Sequence, residues 1–368
     1  MRTLGGDQVD EAVASCLATL RTAVDRDWEE VKAGRVEWSC HAAAFHIAED
    51  LIAYAANLAG RAQDAYVPFD FTLDDGTDNT DLLHVIETTG ALLAATVRTT
   101  PRDVRAFHPY PFRSADREGF AAMGIAEVLL HTHDIAEGLG ITYAPSEELT
   151  EAVLACIFPH VQPGPAAWPT LLWATGRGEL PGRAPVTEWR WHNNLVVPAE
   201  RLTLTGVRPG AARDLRLGGD GGLEWIDGGP YQGTREAAGM TVKAYEAGVL
   251  RPEFGLFALV RHDDGRAIGG IGFHGAPDEE GRVEIGYDLA EGARGQGYAT
   301  EALRALSEWA LAREDVSVLC AAIEPDNLAS QRVVSRAGFT PASVAEERTA
   351  HKDHNAADGS LLLYVRRA

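Results

Sequence analysis

Residues 283–309 read VEIGYDLAEGARGQGYATEALRALSEW, and three short patterns follow one another in them without a spare residue. Val283, Ile285 and Tyr287 alternate with Glu284, Gly286 and Asp288, which is the period of a strand. Beyond Ala299, the apolar residues Ala302, Leu303, Leu306, Trp309 and Ala310 recur at helical spacing. The turn between them is Arg294-Gly295-Gln296-Gly297-Tyr298-Ala299. Glycines at 295 and 297 allow a tight fold and the close approach of a bulky ligand, so that successive N–H groups and the positive helix end converge on an anion. A pyrophosphate meets that description. The same glycines would equally serve a purely steric strand-to-helix turn, and the turn alone leaves both readings open.

Further along the chain, residues 316–323 are a second apolar strand candidate. They lead into Glu324-Pro325-Asp326-Asn327-Leu328-Ala329-Ser330-Gln331-Arg332-Val333-Val334 and then Ala337-Gly338-Phe339. In this order, EIGY, RGQGYATEAL, a strand, N-x-x-S-x-R-V and GF, the region resembles the GNAT superfamily of N-acetyltransferases. Within it the chain looks most like the branch that includes the ribosomal-protein N-terminal acetyltransferases. Pro198-Ala199-Glu200-Arg201-Leu202-Thr203-Leu204 resembles the first strand of that branch, so the likeness runs over 198–368. It implies an α/β fold with a mixed central sheet and acetyl-CoA as cosubstrate. It also implies that the strands flanking the turn splay apart to admit the thioester. Cofactor contacts then fall on Arg294, Gly295, Gln296, Gly297, Tyr298, Ala299 and Thr300, with Asn327 and Ser330 beside the pantetheine arm and thiol.

A chain of 368 residues is too long for one ordinary core and predicts two domains. Acidic residues outnumber basic ones 54 to 33, a net charge of −21, which argues against nucleic acid and anionic membrane surfaces as partners. Cys16, Cys40, Cys156 and Cys320 are scattered and form no C-x-x-C pair, so neither a disulfide framework nor a cysteine zinc site is indicated. No apolar run approaches the ~20 residues that span a bilayer, and the N-terminal residues lack a signal-peptide core. The expectation is a cytoplasmic protein.

In chain order, Val9, Ala12, Val13, Cys16, Leu17, Leu20, Ala23, Val24 and Trp28 lie on one stripe and predict a helix over 9–31. Ser39 is a candidate N-cap for a second helix over 41–58, with Ala42, Phe45, His46, Ile47, Ile52 and Ala55 facing inward. Further helices are predicted over 81–97, over 118–139 with glycine at its end, and over 146–157 with Ser146 as cap. These make an all-α helical bundle over 1–185. Proline and glycine from Pro163 to Pro185 break the helical pattern, so 186–197 reads as a linker and 198–368 as the second domain.

On the fourth helix, Glu127 and His131 stand four residues apart and share a face. His46 sits in an apolar stretch of the second helix, where an imidazole needs a partner. Two nitrogens and one carboxylate form the ligand set of an open divalent-metal site, zinc or similar. A surface Glu–His pair and a satisfied core histidine are the simpler alternatives. Trp38-Ser39, His46-Ile47-Ala48, Glu-x-x-x-His-x-x-Asp at 127–134 and Leu171-Leu172-Trp173-Ala174-Thr175-Gly176-Arg177 together resemble the mycothiol-dependent maleylpyruvate isomerase family of the DinB-like superfamily, over about 9–178. The resemblance implies that His46, Glu127 and His131 bind zinc. It also implies that a low-molecular-weight thiol such as mycothiol takes an open position, with Asp134 supporting the ligands from behind. His133 stands where that family more often has an aromatic residue, which puts the thiol in doubt.

Acetyl transfer to an amine needs a proton acceptor, a polarised carbonyl and a proton for the leaving thiolate. Glu284, on the strand entering the turn, is the candidate base; pairing with an arginine across the sheet is the alternative. Ser330 is the candidate partner of the sulfur, although Ser330 and Asn327 would also suit a helix cap. Phe339 occupies a position near which a family tyrosine often serves as acid. His351 and His354 read as exposed loop residues. The acceptor expected is an amine of a small molecule or a peptide. The bundle is either a metal- and thiol-dependent enzyme or a non-catalytic substrate-binding or dimerisation module.

Overall fold

The computed structural model describes residues 3–343 and 361–367, and His351 and His354 lie outside them. The chain divides into two compact units, 1–194 and 195–368.

The first unit is helical: α1 (Gly6–Leu20), α2 (Cys40–Gly60), α3 (Asn79–Thr99), α4 (Arg117–Leu139), α5 (Glu147–Ile157) and α6 (Ala167–Ala174), with a two-residue ribbon of β1 (Arg105–Ala106) and β2 (Ala115–Asp116). Side-chain caps set where the long helices begin. Ser39 accepts from the Ala42 amide, Asp78 from Asp81, Asp116 from Gly119 and Ser146 from Leu149, each satisfying a first-turn donor that has no partner within the helix. Gly140, at φ 62°, closes α4 in the left-handed conformation that favours glycine. The α4 sequence Phe120-Ala121-Ala122-Met123-Gly124-Ile125-Ala126 is apolar all round, and each of these residues is buried. Gly124 lets a neighbour close in, since a Cβ there would stand 2.4 Å from Leu93.

Four expectations are corrected here. The first helix does not run to Val31; it ends at Leu20, a short 3-10 turn follows, and Trp28 is buried with its indole N–H donated to the Ala23 carbonyl. The sequence predicts a break around Pro169, where the chain instead forms α6. A proline in the first turn loses no intrahelical hydrogen bond, so it is tolerated there. The segment 186–194 is not a free linker, because Trp189 and Trp191 pack on the first unit's core, Trp191 against Phe158. On α2, Ala42 is exposed, and the inward stripe is instead Ala43, Ala44, Ile47, Ala48 and Leu51.

Among the described residues, the second unit holds an eight-stranded mixed sheet in the order β3-β4-β5-β6-β7-β8-β10-β9. The strands are β3 (Val196–Pro198), β4 (Leu202–Gly206), β5 (Leu256–Arg261), β6 (Ala267–Phe273), β7 (Arg282–Leu289), β8 (Val318–Ile323), β9 (Thr340–Pro341) and β10 (Leu362–Arg367). The helices are α7 (Pro209–Arg216), α8 (Gln232–Ala247), α9 (Tyr298–Leu311) and α10 (Leu328–Arg336). All neighbours pair antiparallel except β7 with β8, which the α9 crossover makes parallel. That pairing covers only Arg282–Glu284 against Val318–Cys320, although β7 continues to Leu289 and β8 to Ile323. The two strands therefore part beyond Glu284 and Cys320. No helix among the described residues is long and apolar enough to cross a membrane.

Candidate functional sites, one in each unit

In the second unit the turn between β7 and α9 is exposed from Arg294 to Gly297, and its glycines hold φ of 76° at Gly295 and 86° at Gly297. Both values lie where a β-carbon is strained. Gly297 is the residue before α9 and offers no side-chain cap, so the first-turn amides of Tyr298, Ala299 and Thr300 stay open to an anion. The Arg294 side chain does not reach into the cradle: it donates to the Leu289 carbonyl and lies over the Tyr231 ring at 4.8 Å. A cation the sequence reading passed over stands beside the cradle instead. Arg201 donates to the Gln296 carbonyl, pairs with Glu301 and lies 4.5 Å from the Tyr298 ring centroid.

At the parting strands, Asn327 caps α10 by accepting from the Ser330 amide at 3.0 Å. The Tyr287 hydroxyl donates to the Ser330 carbonyl at 3.3 Å, and burial pushes that phenol up. Phe339 is buried in the core. Glu284 contacts a histidine: its Oε1 lies 3.0 Å from His274 Nδ1. The hydrogen bond to Glu284 raises the His274 imidazole above its ordinary value, against a smaller effect of burial.

The His274 ring sits over Gly286, where a Cβ would come within 3.0 Å of Nε2. Gly286 pairs with Gly272 across β6 and β7, which leaves the sheet bare of side chains at that point. A cavity of about 440 Å³ opens there, lined by His274, Tyr287, Met240, Phe254, Phe273 and Glu236 among others. Asp288, on the same strand face as Glu284, is committed to structure: it accepts from the Thr234 amide and hydroxyl and from the Gly270 amide. His274 could not be singled out in the sequence, because only the β6–β7 register brings it to Glu284.

In the first unit, α2 and α4 bring His46, Glu127 and His131 together, with one ligand atom of each within 4.8 Å of the others. Glu127 and His131 are buried, and His46 is partly open beneath Trp38, whose ring lies 4.7 Å from it. His131 Nε2 is 3.3 Å from Glu127 Oε2, and its Nδ1 is 3.0 Å from Asp134 Oδ2. Asp134 is held in turn by both oxygens to the Arg177 guanidinium. Burial alone would lower His131, but Asp134 and Glu127 outweigh it and raise the imidazole. Burial would likewise raise Glu127, yet His131, with His46 and Arg177 behind, holds that carboxyl below its usual range.

Two further residues belong to this face. Asp50 and Tyr54 follow His46 at one and two turns, and the Tyr54 hydroxyl donates to Glu127. Asp50 Oδ2 is 3.2 Å from His46 Nε2, and burial together with Glu127 and Glu49 pushes its carboxyl well up. The spacing 46, 50, 54 was the available signal. His133 lies apart from the set and packs edge-on to Trp168 at 5.5 Å. A buried carboxylate-and-imidazole cluster of this kind is chemically suited to a divalent cation.

Residues 201–340 match the model of the acetyltransferase (GNAT) domain family. An uncharacterised N-acetyltransferase of Bacillus subtilis (strain 168), YjdG, is 43% identical over 86 residues, 23% of this chain and 51% of that protein. An uncharacterised N-acetyltransferase of Bacillus licheniformis, p20, is 28% identical over 106 residues, 29% of this chain and 56% of that protein. The chain thus spans about half the length of the curated relatives it matches. Among solved structures, an acetyltransferase from Agrobacterium tumefaciens str. C58 aligns at TM-score 0.34 and 24% identity, covering 51% of this chain and all of that one. The second unit, with its mixed sheet and its glycine turn at the head of α9, carries a GNAT acetyltransferase domain.

Proposed function

We propose that the second unit transfers the acetyl group of acetyl-CoA to an amine of a small molecule or a peptide. The observation that carries this is the amide cradle of Gly295, Gln296, Gly297, Tyr298, Ala299 and Thr300, entered from Arg294, whose own N–H is held by the Glu291 carbonyl, and set beside two strands that part after Glu284 and Cys320. Phosphate oxygens on the cradle leave the pantetheine arm to run past Asn327 and Ser330 to the gap. The amine nitrogen attacks the thioester carbonyl carbon, the C–N bond forms, the C–S bond breaks, and the thiolate leaves. His274 takes the amine proton in the pocket, with Glu284 on its Nδ1 fixing the ring. The Ser330 hydroxyl is the donor assigned to the departing sulfur, and Tyr287, whose hydroxyl donates to the Ser330 carbonyl, holds the head of α10 in place. The cavity wall of Met240, Phe254 and Phe273 suits an amine carried on an apolar body. Thiol release from acetyl-CoA, followed with a chromogenic reagent across a panel of amines, peptides and alcohols, is the test. Release with alcohols alone would overturn the amine assignment.

We infer that His46, Glu127 and His131 in the first unit hold one divalent metal, zinc or a similar ion. Support comes from their convergence and from Asp134 and Arg177, which orient His131 from behind. A bound metal would favour the thiolate of a small thiol such as mycothiol at an open position. Trp38 and Tyr66 stand exposed near the site's mouth, where such a thiol would lie. Elemental analysis of protein purified without chelator measures occupancy. Retention of metal in a His131→Ala variant would refute this ligand set.

A further inference from the structure

We propose that Arg201 is a positioning residue of the cradle, holding the Gln296–Gly297 peptide so that the Gly297 N–H is presented to the pyrophosphate of acetyl-CoA. This rests on the reading of the second unit as an acetyl-CoA-dependent transferase, and it gives a role to a side chain that lies outside the turn.

The first argument is direction. The Gln296–Gly297 peptide is trans, so its carbonyl and its N–H point opposite ways. Arg201 Nη1 donates to the Gln296 carbonyl at 3.2 Å, which turns the Gly297 N–H to the side away from the guanidinium. Gly297 is exposed, and its amide finds no acceptor among the described residues. A donor fixed in direction and left without a partner is what a bound anion requires.

The second argument is how firmly the guanidinium is held. Arg201 stands between β3 and β4, and its own carbonyl accepts from the His262 amide at 3.0 Å, so the side chain is mounted on the sheet rather than on the turn. Its Nε and Nη2 meet Glu301 Oε2 at 2.8 and 2.7 Å, and its backbone N–H meets Glu301 Oε1 at 2.6 Å. The guanidinium also lies over the ring of the buried Tyr298. Glu301, in the first turn of α9, donates its N–H to the Gly297 carbonyl. One planar group thus ties the residue before Gly297 to the helix after it. Between them is a glycine at φ 86°, which has no side chain of its own to restrain the backbone.

The third argument is charge. Glu301 places a carboxylate one turn from Gly297, where it would repel a phosphate, and Arg201 neutralises it. Lysine would supply the same charge, but a single ammonium lacks the planar fork that meets a carboxylate and a carbonyl together.

Arg201→Lys therefore separates charge from position. Calorimetry on full-length protein should show acetyl-CoA binding about 10- to 100-fold weaker in the variant, the worth of one hydrogen bond to a charged group. Thiol release is then followed with acetyl-CoA and with S-acetylpantetheine, which keeps the thioester and lacks the pyrophosphate. The preference in kcat/KM for acetyl-CoA over S-acetylpantetheine should shrink by the same factor, through KM rather than kcat. Undiminished acetyl-CoA affinity overturns the proposal, because charge alone then suffices. A weakened variant that keeps the full preference also overturns it, since Arg201 then supports the fold and not the cradle. Wild-type protein that uses the two thioesters equally well overturns the pyrophosphate cradle itself, and wild-type protein that releases thiol from neither overturns the acetyltransferase reading.

Discussion

The candidate sites of the two units are built in opposite ways. The cradle of the second unit is made of backbone: consecutive amides at 295–300, exposed as far as Gly297, with glycine at the two positions that need positive φ. The cluster of the first unit is made of side chains: two pairs, His46 with Asp50 and Glu127 with His131, lying on different helices and largely withdrawn from water. A backbone site tolerates many side chains but almost no change of conformation. A side-chain site tolerates backbone adjustments but depends on each chemical group and on whatever orients it.

The sharpest way to break this contrast is Gly297→Asp, which places a β-carbon at φ 86° and a carboxylate where phosphates would sit. Acetyl-CoA affinity should fall by about three orders of magnitude, roughly 4 kcal/mol at 1.4 kcal/mol per tenfold. Calorimetry reads the loss, and zinc uptake by the same protein should be unchanged.

His274→Gln should slow acetyl transfer by roughly a hundredfold or more while acetyl-CoA still binds, as expected when a proton acceptor is lost from an intact cradle. In the wild type, the imidazole must be neutral to accept a proton, and Glu284 raises its value. The rate should therefore climb with pH through a value above the ordinary imidazole figure of about 6.5, and that limb should vanish in the variant. The stability linked to this pair has the opposite slope. A group raised in the folded state contributes fully below its unfolded value, and the contribution is lost as pH rises through the folded one.

Asp134→Asn should leave all the proposed ligands in place yet loosen the hold on His131, costing about 10–100-fold in metal affinity. Equilibrium competition with a chelating dye measures it. If the variant binds metal as tightly as wild type, the outer carboxylate does not orient the ring. The smallest effect expected is that of Ser39→Ala, which removes the cap of α2 and should cost about 1 kcal/mol of stability in a denaturant melt.

The cradle was legible because its determinants are contiguous. Alternation, two glycines and a helical stripe follow one another in 283–309, and local geometry follows from local sequence. For the same reason the caps Ser39 and Ser146 were readable as helix starts. On the fourth helix, His131 and Glu127 were readable as a pair because four residues is one turn. What the sequence by itself determined was therefore the order of elements, the turn and the residue types available within each helix. Only the tertiary structure decided that Glu284 meets His274, since that contact depends on the β6–β7 register rather than on spacing. It likewise decided that Asp50 faces Glu127 and that Arg177 holds Asp134, because residues dozens of positions apart meet only where helix packing brings their faces together.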